Sequence, residues 1–192
     1  MQWLRNSLIT LVMLILTNPV LAHTGVGSTH GFVDGLIHPL RGADHLLVML
    51  ATGFWASLRA GNKIWQLPFI FLLAMLSGAG LQIAGLSIQF AEQAIILSVL
   101  VFGLIIGFNL RTSTLWASGF VAVFAFIHGY VHAVESTTGD YQMAYLFGFL
   151  STTASLLSLG IVFGALNVMV NQGIRIGFGI ISTVIGLALC IG

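Results

Sequence analysis

Two stretches of this sequence gather side chains that can ligate a metal or carry a proton. One holds His38, Asp44 and His45, with Asp34 and Arg41 nearby; the other holds His128, His132 and Glu135. On a helix, His38 and His45 stand seven residues apart, almost two full turns, and so share a face. Asp44 points about a third of a turn away, where it steers an imidazole, binds metal itself or pairs with Arg41. His128, His132 and Glu135 follow at i, i+4 and i+7, one stripe about 10 Å long. Imidazoles and carboxylates on two facing helices can converge on a single divalent cation. Such donors suit nickel, cobalt, zinc or copper(II) better than magnesium, which prefers oxygen, or copper(I), which prefers sulfur.

Three neighbours qualify this geometry. Pro39 suits the first turn of a helix, where its missing N–H costs little. A helix starting there would leave residues 31–38 as a short outer or re-entrant segment and weaken the shared face. Arg41 is a cation beside a cation site, so a neutralising partner is expected among Asp34, Asp44 and Glu135. His30 reads as a hydrogen-bonded packing residue, and Asp140 as an ordinary loop charge.

These groups are conspicuous because little else in the chain is polar. Of 192 residues, 58% are hydrophobic and 6% charged, with a mean hydropathy of +1.06. Soluble domains carry about 25% charged residues, so this chain is solvated by lipid. A cytosolic enzyme, a nucleic-acid binder with a basic patch and a disordered regulator are excluded. The single cysteine, Cys190, allows neither an intrachain disulfide nor a Cys-rich metal site. Ionisable groups inside a membrane are costly, and by default they mark function.

The elements that must position them follow from hydropathy. Residues 1–22 read as an export signal: Arg5, an apolar run from Leu8 to Leu16, a break at Asn18-Pro19, then Val20-Leu21-Ala22 as a cleavage site. The rival reading, an uncleaved anchor, has only about 15 apolar residues before Pro19, short for a span. Cleavage would leave His23 first, its free amine and imidazole forming a chelating pair.

Residues 23–192 then make one transport domain of six hydrophobic segments: Gly31–Leu58, Trp65–Leu86, Glu92–Leu110, Leu115–Glu135, Tyr141–Val168 and Ile174–Gly192. Their length and continuous hydrophobicity specify helices rather than barrel strands. The expected fold is therefore all-α, a polytopic membrane bundle of six transmembrane helices. Arg59 and Lys63, Arg111 and Arg175 fall only on odd-numbered turns, which places those turns in the cytoplasm and both mature termini outside. A cleaved signal predicts the same orientation. Small residues four apart, as in Gly103/Gly107, Gly160/Gly164 and Gly173/Gly177, are generic packing signals. The histidine-bearing spans, first and fourth, each open a group of three, so the second group would be inverted relative to the first. No residue-level repeat accompanies this 3+3 arrangement.

His38-Pro39-Leu40-Arg41-Gly42-Ala43-Asp44-His45 resembles the H-P-x-x-G-x-D-H signature of the HupE/UreJ family. Phe126 to Glu135, Phe-Ile-His-Gly-Tyr-Val-His-Ala-Val-Glu, resembles that family's second motif, F-x-H-G-x-x-H-x-x-E, with Ala133 where glycine is frequent. His23-Thr24-Gly25 is similar to the family's mature start. The resemblance covers the whole chain. It implies a nickel or cobalt permease of the bacterial inner membrane that supplies hydrogenase or urease maturation. The residues it implies in transport are His38, Asp44, His45, His128, His132 and Glu135, and His23 is a further candidate ligand from its own chemistry. Larger nickel–cobalt permeases have four residues between His and Asp where this chain has five, so their mechanism is not carried over.

The expected function is a secondary-type permease for Ni2+ or Co2+, with no permanently bound cofactor, no nucleotide-binding motif and no enzymatic activity. The partners are the ion, the lipid bilayer and the maturation proteins. Two rivals use the same residues. A membrane b-type cytochrome would hold haem between His45 and His128 or His132, and a delivery subunit would bind metal without transporting it.

Overall fold

The computed structural model describes residues 31–59, 63–135, 142–169 and 172–191. Residues 1–22, expected to be an export signal, and His23 and His30 lie outside the described residues. Among the described residues seven helices follow in order: α1 (Phe32–Arg41), α2 (Ala43–Leu58), α3 (Gln66–Ile83), α4 (Ala91–Gly107), α5 (Thr114–Glu135), α6 (Gln142–Met169) and α7 (Gly173–Ile191). Among the described residues there is no strand. The expected all-α class is observed, and the last five helices track the last five hydrophobic segments closely.

The first segment differs. It is two helices, broken at Gly42, whose extended backbone (φ −97°, ψ 120°) ends α1 and starts α2. Pro39 does not open the span; it lies buried inside α1, three residues before the break. It withholds an N–H from the preceding turn and so weakens the helix just upstream of Gly42. The break at residue 42 also leaves no room for a side chain. A Cβ at residue 42 would sit 2.7 Å from Asp44 Oδ1 and 3.2 Å from the His45 ring.

Helix ends elsewhere carry local stop signals. At the end of α3, Gly85 takes φ 83°, and the N–H groups of Gly85 and Leu86 return to the carbonyls of Gln82 and Leu81. At the end of α4, Asn109 takes φ 52°, and the N–H groups of Asn109 and Leu110 return to the carbonyls of Ile106 and Ile105. Both are Schellman closures, with a residue tolerant of the left-handed region at the position after the cap.

Helices α3, α5, α6 and α7 are long and apolar enough to cross a membrane; α2 and α4 are apolar but shorter, at 16 and 17 residues. Large apolar side chains such as Phe69, Val123, Phe147, Val162 and Ile180 face outward, while the buried interior contains histidines. A water-soluble protein does the reverse. This is a multi-pass membrane bundle.

Three close pairings build it: α6 along both α1 and α2, α3 against α5, and α4 against α7. Each is a contact of backbones through small residues. Gly53 on α2 faces the backbone of Leu157 and Ile161, and Gly160 on α6 faces Leu50 and Phe54. Gly78 and Gly129 bring α3 against α5, while Gly103 and Gly179 bring α4 against α7. Gly103/Gly107 and Gly160/Gly164 thus serve packing, whereas a Cβ at Gly177 would meet nothing within 4 Å.

Candidate metal centre

The break at Gly42 decides how the first histidines meet. On an uninterrupted helix, seven residues separate His38 and His45 by about 10 Å of rise. Here their ring centroids are 6.2 Å apart, across the break at Gly42. Helix α5 brings His132 between them, its ring 4.9 Å from His38 and 4.2 Å from His45, both edge to face. One ring nitrogen from each of His38, His45 and His132 can be chosen so that all lie within 4.8 Å of one another. Nitrogens around one ion at ~2.1 Å each are roughly 3–4 Å apart, so a small contraction would close this triad on a cation.

The surroundings are dry. His45, His128 and His132 are 2%, 0% and 1% exposed, and Asp44 is 4%; His38 is half-buried. Phe149 of α6 lies 4.2 Å from the His132 ring, and Tyr145, one turn earlier, lies 5.8 Å from His38. Helix α6 can approach this closely because Gly35 on α1 meets the backbone at Tyr145 and Phe149, and Gly148 meets that at Phe32 and Leu36.

Acceptor oxygens lie close to Nδ1 of two of these rings, and one of the two contacts, at His128, is a hydrogen bond. Asp44 Oδ1 accepts the backbone N–H of His45 at 2.9 Å and lies 3.1 Å from His45 Nδ1. A proton on Nδ1 faces a carboxylate there, which leaves the Nε2 lone pair for a ligand. His128 Nδ1 lies 2.9 Å from the Phe124 carbonyl, which can only accept, so Nδ1 carries the proton and Nε2 again keeps its lone pair. The His128 ring stands 5.5 Å from His45 and 6.4 Å from His132, beside the triad rather than in it.

A model of the family described as HupE / UreJ protein matches residues 11–189, nearly the whole chain. The chain belongs to the HupE/UreJ family. It is 38% identical over 159 residues to Protein HupE of Rhizobium leguminosarum bv. viciae, covering 82% of this chain and 83% of that one. No solved structure matches.

In this HupE/UreJ chain the sequence-derived residues fall into distinct places. His38, His45 and His132 come together; Asp44 contacts His45 and is not in the triad; His128 is adjacent. Glu135 ends α5, but its side chain, like all of His23, lies outside what the structure describes. Arg41 is exposed on α1 and has no ion pair among the described residues, and Asp44 turns to His45 instead. The expected neutralising partner is therefore not found among the described residues. Sequence reasoning missed Tyr145 and Phe149, because neither stands out within an apolar helix. Gly42 was visible only as part of a motif.

Further along α2 and α5 the interior changes character. Thr52 and Ser98 are buried and bond to carbonyls of their own helices. Beyond them Trp55, Phe102, Phe120 and Phe124 form one aromatic layer, with Phe120 4.7 Å from Phe124 and 5.3 Å from Phe102. Trp55 contacts Phe102 and Phe120 edge to face at 6.0 and 6.3 Å. Phe120 and Phe124 lie two turns and one turn below His128 on α5.

Proposed function

We propose that this protein is a secondary-type permease that carries Ni2+, or Co2+, inward across the bacterial inner membrane in support of hydrogenase or urease maturation. The observation that carries this reading is the imidazole triad, two of its rings buried and His38 half-buried, drawn from α1, α2 and α5 inside a membrane bundle. Family membership supports the metal and the metabolic setting. Helices α1 and α2 together form one span and α3 to α7 the other five. The basic residues on the odd turns support a cytoplasmic location for that side, with both mature termini outside.

The ion enters from the histidine side. Cleavage after Ala22 gives His23 a free amine beside its imidazole, a capture site at the entrance, with Glu135 as an outer carboxylate. His38, His45 and His132 then replace part of the water shell. Asp44 holds His45 in the tautomer that offers Nε2, and His128 offers the next donor inward. Neutral imidazoles bind a cation without excess negative charge, so the ion is held but can leave. The aromatic layer is the barrier on the inner side and must shift for release.

An inverted 3+3 arrangement fits this motion. Exchanging the first three spans with the last three interchanges the pairing of spans one and five with that of spans two and four. The pairing of spans three and six maps onto itself. An experimental structure whose halves do not superpose about an axis in the membrane plane would rule it out.

The b-type cytochrome fits less well. The imidazoles stand 4.2 to 5.5 Å apart in near contact, which leaves no slot for a macrocycle between them. The deciding experiment is accumulation of radioactive nickel and cobalt in cells lacking other high-affinity importers, comparing wild type with His45→Ala and His132→Ala at matched membrane expression. Uptake above vector that both substitutions abolish is expected. Equal accumulation in all three, or none above vector, would overturn the permease and leave a binding or delivery subunit.

A further inference from the structure

The opposite end of the bundle holds a second polar assembly that the triad does not use. Three arginines from three separate turns, Arg59 after α2, Arg111 before α5 and Arg175 in the first turn of α7, line one cavity of about 470 Å³. Topology requires basic residues on this side of the membrane, but it does not require them to converge. Charges that only mark a side are free to splay into the headgroup region.

Local contacts hold two of the three guanidinium groups in place. Arg59 donates to Thr112 Oγ1 at 3.1 Å and Thr114 Oγ1 at 3.3 Å, and it stacks 5.6 Å above the Trp55 ring. Arg175 donates to the carbonyls of Ile106 and Gly107, at 3.1 and 2.6 Å, closing the end of α4, while Asn167 Oδ1 accepts its backbone N–H at 2.9 Å. All these acceptors are neutral, so they orient the guanidinium groups without cancelling their charge. None of the residues lining the cavity is acidic. Asn109 and Thr112 add polar side chains to its wall.

Three fixed positive charges around one concave, partly apolar space repel one another and focus a positive potential into it. The ligand that relieves this is an oxyanion. A guanidinium fork matches the oxygens of a phosphate or carboxylate in a way an ammonium does not. The cavity is far larger than one phosphate, and Leu58 and Leu110 offer an apolar surface for an attached organic group.

We propose that this arginine-lined cavity is a binding site for a phosphate-bearing anion, either the headgroup of an anionic phospholipid or a soluble phosphate. The proposal does not depend on transport.

The test uses the purified, delipidated full-length protein in neutral detergent, titrated calorimetrically with inorganic phosphate and, separately, with short-chain phosphatidylglycerol. Saturable binding of at least one probe is expected, weakened about tenfold by Arg59→Gln or Arg111→Gln, since a charge-assisted hydrogen bond is roughly that strong. Lys63, exposed on the same side but outside the cavity, supplies the control: Lys63→Gln should bind as wild type does. Binding of inorganic phosphate identifies a soluble ligand, and binding of the lipid alone identifies a headgroup. Arg111 is exposed and its replacement leaves the helix-end contacts of Arg175 intact, so thermal unfolding of Arg111→Gln should match wild type. Binding of neither probe, or equal weakening by Lys63→Gln and Arg111→Gln, would overturn the site.

Discussion

The two ends of α2 solve opposite electrostatic problems. At its start, Asp44 and His45 stand with His38 and His132 in a dry pocket where the carboxylate of Asp44 orients an imidazole. At its end, Arg59 joins two further arginines around an open cavity that no carboxylate lines. Neutral donors suit a cation that must be held and then released inside a membrane, where a fixed full charge is costly. Permanent guanidinium charge is tolerated at the other end because water and headgroups are near. Between the two, the aromatic layer around Phe120 offers neither charge nor lone pairs. On the two proposals, α2 carries a cation site at its start and an anion site at its end, separated by the length of its 16 residues.

The sharpest way to break the comparison is to remove a triad member. His45→Ala or His132→Ala should abolish nickel binding by purified protein at micromolar metal, measured by equilibrium dialysis, while phosphate or lipid binding at the arginine end is unchanged. Loss at both ends would mean that the two sites are not separate. Next comes the break itself. Gly42→Val should lower nickel affinity by about a hundredfold or unfold the outer half, because its side chain must displace Asp44 and the His45 ring; Gly80→Val, on a face with nothing within 4 Å, should do neither.

Asp44→Asn tests orientation apart from ligation. Loss of a carboxylate that orients a metal-binding histidine usually costs about 10–100-fold in affinity, roughly the decline expected here. An unchanged affinity would remove Asp44 from the site. Acidification should act at the histidine end alone. Protons and a metal ion compete for the same imidazole lone pairs, so nickel affinity should fall on acidification. The slope of affinity against pH counts the protons displaced, and a flat profile would contradict imidazole ligation. The smallest effect is expected in the middle: Phe120→Ala should change uptake rate a few-fold and leave equilibrium nickel binding alone.

Much of this was legible in the sequence. The apolar segments from Trp65 onward became helices within a few residues of where hydropathy placed them. The histidines were legible because an imidazole costs too much in a membrane to be incidental. The division of labour among them was not. His45 and Asp44 were equal candidates for ligand, and only the folded chain places Asp44 3.1 Å from His45 Nδ1 and outside the triad. Pro39 misled, since a proline that can start a helix can also weaken the turn before a break. Hydropathy is blind to that choice. Tyr145 and Phe149 look like any apolar residues of α6 until Gly35 and Gly148 draw that helix against α1.

What the sequence alone determined is therefore local: which segments enter lipid, which side chains are too polar to be there, and which turns carry positive charge. Each depends on transfer from water to hydrocarbon, a cost that every residue meets more or less independently. Tertiary structure decided the rest. It placed α6 along α1 and α2, put His132 between His38 and His45, and turned three arginines into one cavity. In a bilayer, apolar faces do not select one another by hydrophobicity, because lipid solvates them equally well. Partner choice falls to close backbone contact at small residues, a matter of shape between distant segments that a linear reading of composition does not contain.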